Sequence, residues 1–211
     1  LTLPQSLYNI GEGAFAECSN LASVSFASGL QIVETGAFAG CSALTEAILP
    51  DTLLDIGAKA FAGCTQLGTV RIPASVGNIG EDAFENCKEH KEITLPSSLV
   101  YIGGGVFRGC EKMQYIDIPN SVTEMGAAFA GCERLKGVRV GKGVTVIVDS
   151  AFSGCKALER LTLNMNITEI GDKAFSGCDS LKSIILPEKL EKLGFSAFHG
   201  CDNLESVVFT S

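Results

Sequence analysis

The hydrophobic pattern of the chain returns about every 23 residues. A typical unit begins at Cys41, and apolar residues follow three, six and eight positions later, at Leu44, Ala47 and Leu49. The last two alternate with polar neighbours, as the residues of a half-buried strand do. Pro50 comes directly afterwards, where its missing N–H and fixed φ end a strand. Each unit therefore predicts one short strand.

The second half of each unit contains another apolar pair, three residues apart, such as Leu53 and Ile56. Glycine often follows this pair, and we expect it in a turn that needs an unusual φ. The glycines concerned are Gly57, Gly80, Gly103, Gly171 and Gly194. The next residues have the composition of about one helical turn, which predicts a one-turn helix or 3-10 segment. Gly40, directly before the cysteine, would then be the left-handed residue that ends this turn.

An aromatic residue and a thiol mark every unit. A Phe, preceded by Ala or once by Val, stands three residues before each of the nine cysteines. The cysteines are 23 residues apart throughout, except for 22 between Cys110 and Cys132. A fixed period of this length is typical of a solenoid. One unit offers roughly eight apolar side chains at about 2 kcal/mol each, against about 1–2 kcal/mol of backbone entropy per residue, so neighbouring coils must stack.

The period continues from end to end, so residues 1–211 are predicted to form a single solenoid domain. The chain opens and closes in mid-repeat and lacks polar terminal caps, so we expect a fragment of a longer protein. No apolar run approaches the 18 residues or so of a membrane span, which excludes direct membrane insertion. The net charge of -8 opposes a phosphate backbone and argues against nucleic acid as a partner.

The spacing of Leu67, Val70 and Ile72 matches the strand signature of leucine-rich repeats. The longer pattern, Leu or Ile before Pro, then Leu, Ile-Gly, Ala-Phe and Gly-Cys, is similar to the BspA-like, or Treponema-type, subclass of that family. The resemblance covers the whole chain. It implies a right-handed solenoid of about nine 23-residue repeats. It also implies a parallel β-sheet on the concave side, with short second strands and one-turn helical or 3-10 segments on the other side.

The same resemblance implies cell-surface or secreted placement and adhesion to host extracellular or cell-surface proteins. The expected function is therefore a non-catalytic, protein-binding module that uses the concave sheet and the edge loops. A rigid spacer that holds other domains away from the cell surface is the alternative.

Residues five and seven places after each cysteine point away from the core and line the predicted concave sheet. Near the centre of the chain they form a mixed-charge strip with one aromatic residue. Its members are Arg71, Glu92, Thr94, Tyr115, Asp117, Arg139 and Arg160. Arg and Tyr are enriched at interface hot spots, which favours partner contact. Solvated side chains that pair across neighbouring strands are the alternative.

The nine cysteines do not predict a reactive or metal site. Equivalent residues of adjacent coils lie about 5 Å apart, which permits disulfides by distance, but parallel side chains in an odd number cannot all pair. One Cys per repeat supplies no four-ligand cluster. Buried free thiols that act as small hydrophobic groups remain the favoured interpretation.

Catalytic and cofactor sites have no support in the sequence, and none is predicted. His90 and Met113 replace the usual Leu of the repeat, so His90 is interpreted as an altered core position. One residue is lost before Ala128 and Phe129, which makes the middle of the chain the expected place for a local kink.

Overall fold

The computed structural model describes residues 1–91 and 93–209, which form a stack of coils about 23 residues long. Each complete coil contributes one or two short strands, and among the described residues these strands form five parallel sheets. The strands are β1 Asn9–Ile10, β2 Ile32–Val33, β3 Glu46–Ile48, β4 Asp55–Ile56, β5 Thr69–Arg71, β6 Asn78–Ile79, β7 Tyr101–Ile102, β8 Tyr115–Asp117, β9 Glu124–Met125, β10 Gly137–Arg139, β11 Val146–Ile147, β12 Arg160–Thr162, β13 Glu169–Ile170, β14 Ser183–Leu186, β15 Lys192–Leu193 and β16 Ser206–Phe209.

The strand predicted after each cysteine is confirmed in seven coils, where it begins five residues after the cysteine. The coil of Cys18 has only an isolated bridge at Ser25, and the coil of Cys87 has no strand among its described residues. These strands, which we call the concave sheet, pair as β3 with β5, β8 with β10 and β12, and β14 with β16. In β5 the buried Val70 lies between the exposed Thr69 and Arg71, as the period-2 pattern requires. Every pairing joins equivalent positions of adjacent coils, so one register places all outward residues on the same face.

Short second strands also form. They pair in the order β1, β2, β4, β6, β7 and β9, and as β11, β13 and β15. Each consists of two residues, of which the second is usually a buried aliphatic such as Ile56 or Ile79.

The predicted helical or 3-10 segments are wrong: within the described residues this part of each coil is a run of turns. The N–H of Ala39 bonds back to the carbonyl of Gly36, but the N–H of Phe38 crosses 2.8 Å to the carbonyl of Ala60 in the next coil. Gly36 and Gly40 take left-handed φ values of 61° and 73°. A helix would need every N–H to bond within its own coil. The left-handed residues instead turn alternate N–H groups toward the neighbour.

The two glycine predictions have different outcomes. The left-handed conformation expected directly before Cys is confirmed, and the non-glycine residues Glu17 and Asn86 adopt it as well, with φ of 59° and 58°. The unusual φ expected after Ile is wrong, since Gly103 and its equivalents do not have positive φ. Glycine is needed there because the coils approach closely: a Cβ on Gly103 would lie 2.5 Å from the backbone nitrogen of Glu81.

The core is built from layers of equivalent side chains. Phe rings of successive coils stack with centroids 5.2 to 5.9 Å apart. The largest interplanar angle in this stack, 19°, separates Phe107 from Phe129, on either side of the lost residue. The local irregularity expected in the middle of the chain is therefore seen in the aromatic layer.

Candidate binding surface

The described members of the predicted strip are all exposed on the concave side. Arg71 ends β5, Tyr115 and Asp117 begin and end β8, Arg139 ends β10 and Arg160 begins β12. Thr94 is exposed in the coil between β5 and β8. Glu92 lies outside the described residues.

Asp117 and Arg139 are brought together by the strand register, since β8 and β10 pair them directly. The Nη2 and Nε atoms of Arg139 lie 2.6 and 3.2 Å from the two carboxylate oxygens of Asp117. These hydrogen bonds, and then the carboxylate charge, raise the pKa of the Arg139 guanidinium. Both side chains are about two-thirds exposed, so the pair is a surface feature and not part of the core.

Tyr115, Gly137 and Arg160 form a second row across the same three strands. Gly137 has no side chain to separate its neighbours, and the ring of Tyr115 leans over it. A Cβ on Gly137 would lie 2.9 Å from Cδ1 of Tyr115 and 3.9 Å from Cβ of Arg160. The glycine thus lets the exposed ring of Tyr115 lie over β10, between the strands that carry Tyr115 and Arg160.

Arg71 is not part of this arrangement. It lies on the β3–β5 pair, and its Nη2 atom is 3.0 Å from a carboxylate oxygen of Asp51 on the loop after β3. The predicted strip is therefore divided. Arg71 is paired locally, whereas the residues of β8, β10 and β12 share one continuous piece of sheet.

Two open depressions lie along β8, β10, β12 and β14. The first, of about 620 Å³, follows the carboxyl ends of the strands. Its polar lining includes Thr94, Ser97, Asp117, Asn120, Ser121, Arg139, Lys142, Thr162 and Asn164. The second, of about 510 Å³, lies where β12 and β14 begin, and is lined by Glu159, Arg160, Ser180, Lys182 and Asn203.

Sequence reasoning missed Lys142 and Lys182 as contributors to this surface. Neither lies five or seven places after a cysteine; they lie at the edges of the sheet, where strands begin or end. A signal for the first was present, because Gly141 and Asn164 replace the proline that ends most of the other strands. Asn164 donates hydrogen bonds to the carbonyls of Gly141 and Val144 and so substitutes for the proline turn.

His90 occupies the altered core position that the sequence indicated, with 1% of its surface exposed. Neither ring nitrogen has a hydrogen-bond partner of standard geometry among the described residues. Burial lowers the pKa of His90 to about 4, an effect that the backbone of Gly68 opposes only in part. The ring is therefore neutral at physiological pH and does not reach the concave surface.

The cysteines are free thiols, seven of them buried, with Cys18 exposed and Cys201 half-buried. Burial raises the pKa of Cys64 and Cys132 to about 12, so these groups are protonated at any physiological pH. Within residues 1–91 and 93–209, no three His, Cys, Asp or Glu side chains gather in a way that could hold a metal ion. The described residues also contain no helix long and apolar enough to cross a membrane.

Comparison with known families gives consistent matches along the chain. The model of the BspA type leucine rich repeat region (6 copies) matches residues 1–112, 31–155 and 105–211. No curated protein matches the chain. Neither the family model nor the similar structures indicate an enzyme.

Among solved structures, the leucine rich repeat protein of T. pallidum is similar, with 32% identity and a TM-score of 0.69. The match covers 86% of this chain and 77% of that protein. The pneumococcal vaccine antigen PcpA has the same fold at 23% identity and a TM-score of 0.61, covering 100% and 62%. A leucine rich cell surface protein of Faecalibacterium prausnitzii A2-165 also has this fold, at 22% identity and a TM-score of 0.54, covering 100% and 78%.

Proposed function

The chain belongs to the BspA-type leucine-rich repeat family, and from this premise we propose that it is a non-catalytic module that binds a protein partner through its concave sheet and edge loops. We treat residues 1–211 as one binding domain, because backbone hydrogen bonds join each described coil to the next.

The row formed by Tyr115, Gly137 and Arg160 is the observation that supports this proposal most. Tyr and Arg are enriched at interface hot spots. Tyr115 and Arg160 are both exposed on strands that flank β10, and Gly137 puts no side chain between them, so one partner can contact an aromatic ring and a cation together. Arg160 has no ion-pair partner among the described residues, so it is available to a ligand.

Binding by this surface would be additive. Every outward position repeats at the strand spacing of about 4.8 Å, so an extended partner could contact several coils in succession. Single rim contacts are weak, and affinity would rise through the number of coils engaged and through presentation of many copies on one surface.

Cell-surface or secreted placement is part of the same proposal, with a host extracellular or cell-surface protein as the partner. The solved structure of a leucine rich cell surface protein with the same fold supports this placement by analogy.

The proposal is tested by binding of purified extracellular proteins to the parent chain and to two matched variants. One variant carries Tyr115→Ala and Arg160→Ala on the concave sheet. The control carries Lys59→Ala and Lys173→Ala, two exposed cations on the turn side. We expect a protein bound by the parent to be lost by the first variant and retained by the second. A partner that binds both variants as it binds the parent would contradict the concave assignment.

A rigid spacer is the second candidate. It is favoured by the ladder of turn hydrogen bonds between successive coils, in which Gly36, Phe38 and Gly40 each donate to the next coil. A spacer would tolerate exchange for an unrelated solenoid of equal length in the full protein. A binding module would lose cell attachment on that exchange.

A further inference from the structure

The charge of the concave surface in the second half of the chain is opposite to that of the whole protein. The full sequence carries a net charge of -8. The residues that line the two depressions nevertheless include four cations, Arg139, Lys142, Arg160 and Lys182, and two carboxylates, Asp117 and Glu159. We call the four cations the basic surface.

Three of these four cations have no ion-pair partner among the described residues. Arg139 is neutralised by Asp117, but Lys142, Arg160 and Lys182 have no carboxylate oxygen within 4.0 Å. Of the other twelve Lys and Arg residues, six pair with a carboxylate of the adjacent coil within the described part of the chain. These pairs are Arg71 with Asp51, Lys88 with Glu111, Arg108 with Asp82 and Glu85, Lys112 with Glu89, Lys156 with Glu133 and Lys192 with Glu169.

The outward row of the concave sheet lacks acids in this half. From β10 onward its positions are Gly137, Arg139, Arg160, Thr162, Ser183, Ile185, Ser206 and Val208. Neighbouring strands therefore bring no carboxylate to Arg160, so its charge is free to attract an acidic partner. Complementary charge of this kind steers a partner to its site and sets the orientation in which it binds.

We infer that the basic surface receives an acidic segment of a protein partner. Carboxylates of the segment pair with Arg160 and Lys182 at the start of β12 and β14, and with Lys142 at the opposite edge. A neighbouring side chain of the segment packs against the exposed ring of Tyr115. The inference deepens the proposed function and rests on it, since it specifies what the concave sheet recognises.

The geometry suits an extended segment. From β8 to β14 there are three inter-strand steps, or about 14 Å. About six extended residues span roughly 20 Å, which is enough to cross this distance. A duplex nucleic acid is disfavoured because its dense phosphates would also meet the excess negative charge of the rest of the protein.

The test uses a fluorescein-labelled glutamate-rich peptide of about eight residues, long enough to span the four strands. The control peptide has glutamine in place of glutamate. The protein variants are Arg160→Ala with Lys182→Ala, and Lys59→Ala with Lys173→Ala as the matched pair of exposed cations away from the surface. Binding is followed by fluorescence anisotropy at about 50 mM and about 200 mM salt, because screening weakens exposed charge pairs.

We expect the glutamate peptide, and not the glutamine peptide, to bind the parent. Removal of Arg160 and Lys182 should weaken binding about tenfold or more, as expected for the loss of two charge contacts, and the higher salt should weaken it further. The Lys59 and Lys173 variant should bind as the parent does. Equal losses in both variants, or equal binding of the two peptides, would overturn the inference.

Two further outcomes separate this inference from the proposed function. If heparin displaces the peptide and binds more tightly through Arg160 and Lys182, the basic surface recognises a sulfated glycan and the acidic-segment assignment is wrong. If an identified protein partner depends on Tyr115 and Arg160 but is insensitive to salt and to the glutamate peptide, the concave proposal stands and only the acidic-segment inference fails.

Discussion

The thiol of Cys110 donates a hydrogen bond to the carbonyl oxygen of Phe84, with Sγ and O 3.3 Å apart across 26 residues of sequence. The same oxygen accepts the N–H of Cys87 at 3.2 Å. A carbonyl has two lone pairs, so the neighbouring coil supplies the second donor to a buried acceptor. The contact recurs along the stack, as Cys41 to Phe15, Cys64 to Phe38, Cys87 to Phe61, Cys132 to Phe107, Cys155 to Phe129, Cys178 to Phe152 and Cys201 to Phe175. Cysteine is thus both an apolar filler and a weak donor between coils.

Cys110→Ala should lower the free energy of unfolding by about 1–2 kcal/mol, since it removes a buried sulfur and the hydrogen bond to Phe84. Cys18→Ala is the control, because Cys18 is exposed and donates no such bond. Urea unfolding of the two variants measures the difference. Equal stabilities would mean that the thiol contact contributes nothing.

Thiol accessibility should separate the cysteines into two groups. In the native protein at about pH 8, near the ordinary thiol pKa, Ellman's reagent should react readily only with Cys18 and Cys201. The seven buried thiols should react only after denaturation, because burial raises the pKa of groups such as Cys41, to about 11. Rapid native labelling of more than two thiols would contradict the packing.

Replacement of His90 should change the pH dependence of stability. Burial lowers the folded-state pKa to about 4, below the usual value of 6.5. As the pH falls, the unfolded chain binds the proton first, so the free energy of unfolding should decrease between about pH 6.5 and about pH 4. The loss attributable to His90 should be about 3 kcal/mol over this window and should not grow below it.

His90→Leu restores the residue of the other repeats and should remove this part of the acid sensitivity. It should also raise stability at neutral pH by about 1–2 kcal/mol, because two buried nitrogens without good partners disappear. His199→Leu, at an exposed position, is the control and should do neither. Urea unfolding at several pH values compares the three proteins. Parallel pH profiles for His90→Leu and the parent would show that His90 is not buried in the folded state.

Because the coils approach closely at Gly103 but not at Gly104, we expect alanine to destabilise the protein at the first position and to have little effect at the second. Gly103→Ala should lower stability by at least about 2 kcal/mol, since its Cβ would meet the backbone of Glu81 at 2.5 Å. Gly104→Ala should change stability by less than about 0.5 kcal/mol, because nothing lies within 4 Å of its Cβ position. Thermal unfolding of both variants decides between this explanation and a conformational one, which the φ of Gly103 does not support.

The repeat period predicts those structural features that recur at equivalent positions of every coil. The strand at Val70, the proline after it and the left-handed residue before each cysteine all follow from local patterns, and the structure has them. The helical prediction failed because composition over a few residues cannot show where an N–H group bonds. The N–H of Phe38 leaves its own coil for Ala60, and that contact exists only once the coils are stacked.

The surface was predictable to a similar extent. The exposure of Tyr115 and Asp117 follows from the alternation of side chains along a strand. The pairing of Asp117 with Arg139 follows from the repeat, because this repeat is 22 residues long instead of 23. Lys182 could not be found in this way, because edge side chains take directions that no period specifies. The position of the Tyr115 ring over Gly137 is also a matter of tertiary packing, which the repeat does not specify.

The Asp117–Arg139 pair should contribute little to folding. Its side chains are 67% and 68% exposed, and water screens exposed pairs of this kind. Asp117→Ala, Arg139→Ala and the double variant should each unfold at nearly the same urea concentration as the parent, with little coupling between the two changes. Urea unfolding of the four proteins in the double-mutant cycle measures this coupling. A large coupling energy would mean that the pair stabilises the fold. Loss of binding in the Asp117 and Arg139 variants would then reflect altered folding. A small coupling means that binding defects in the same variants report on the partner contact itself.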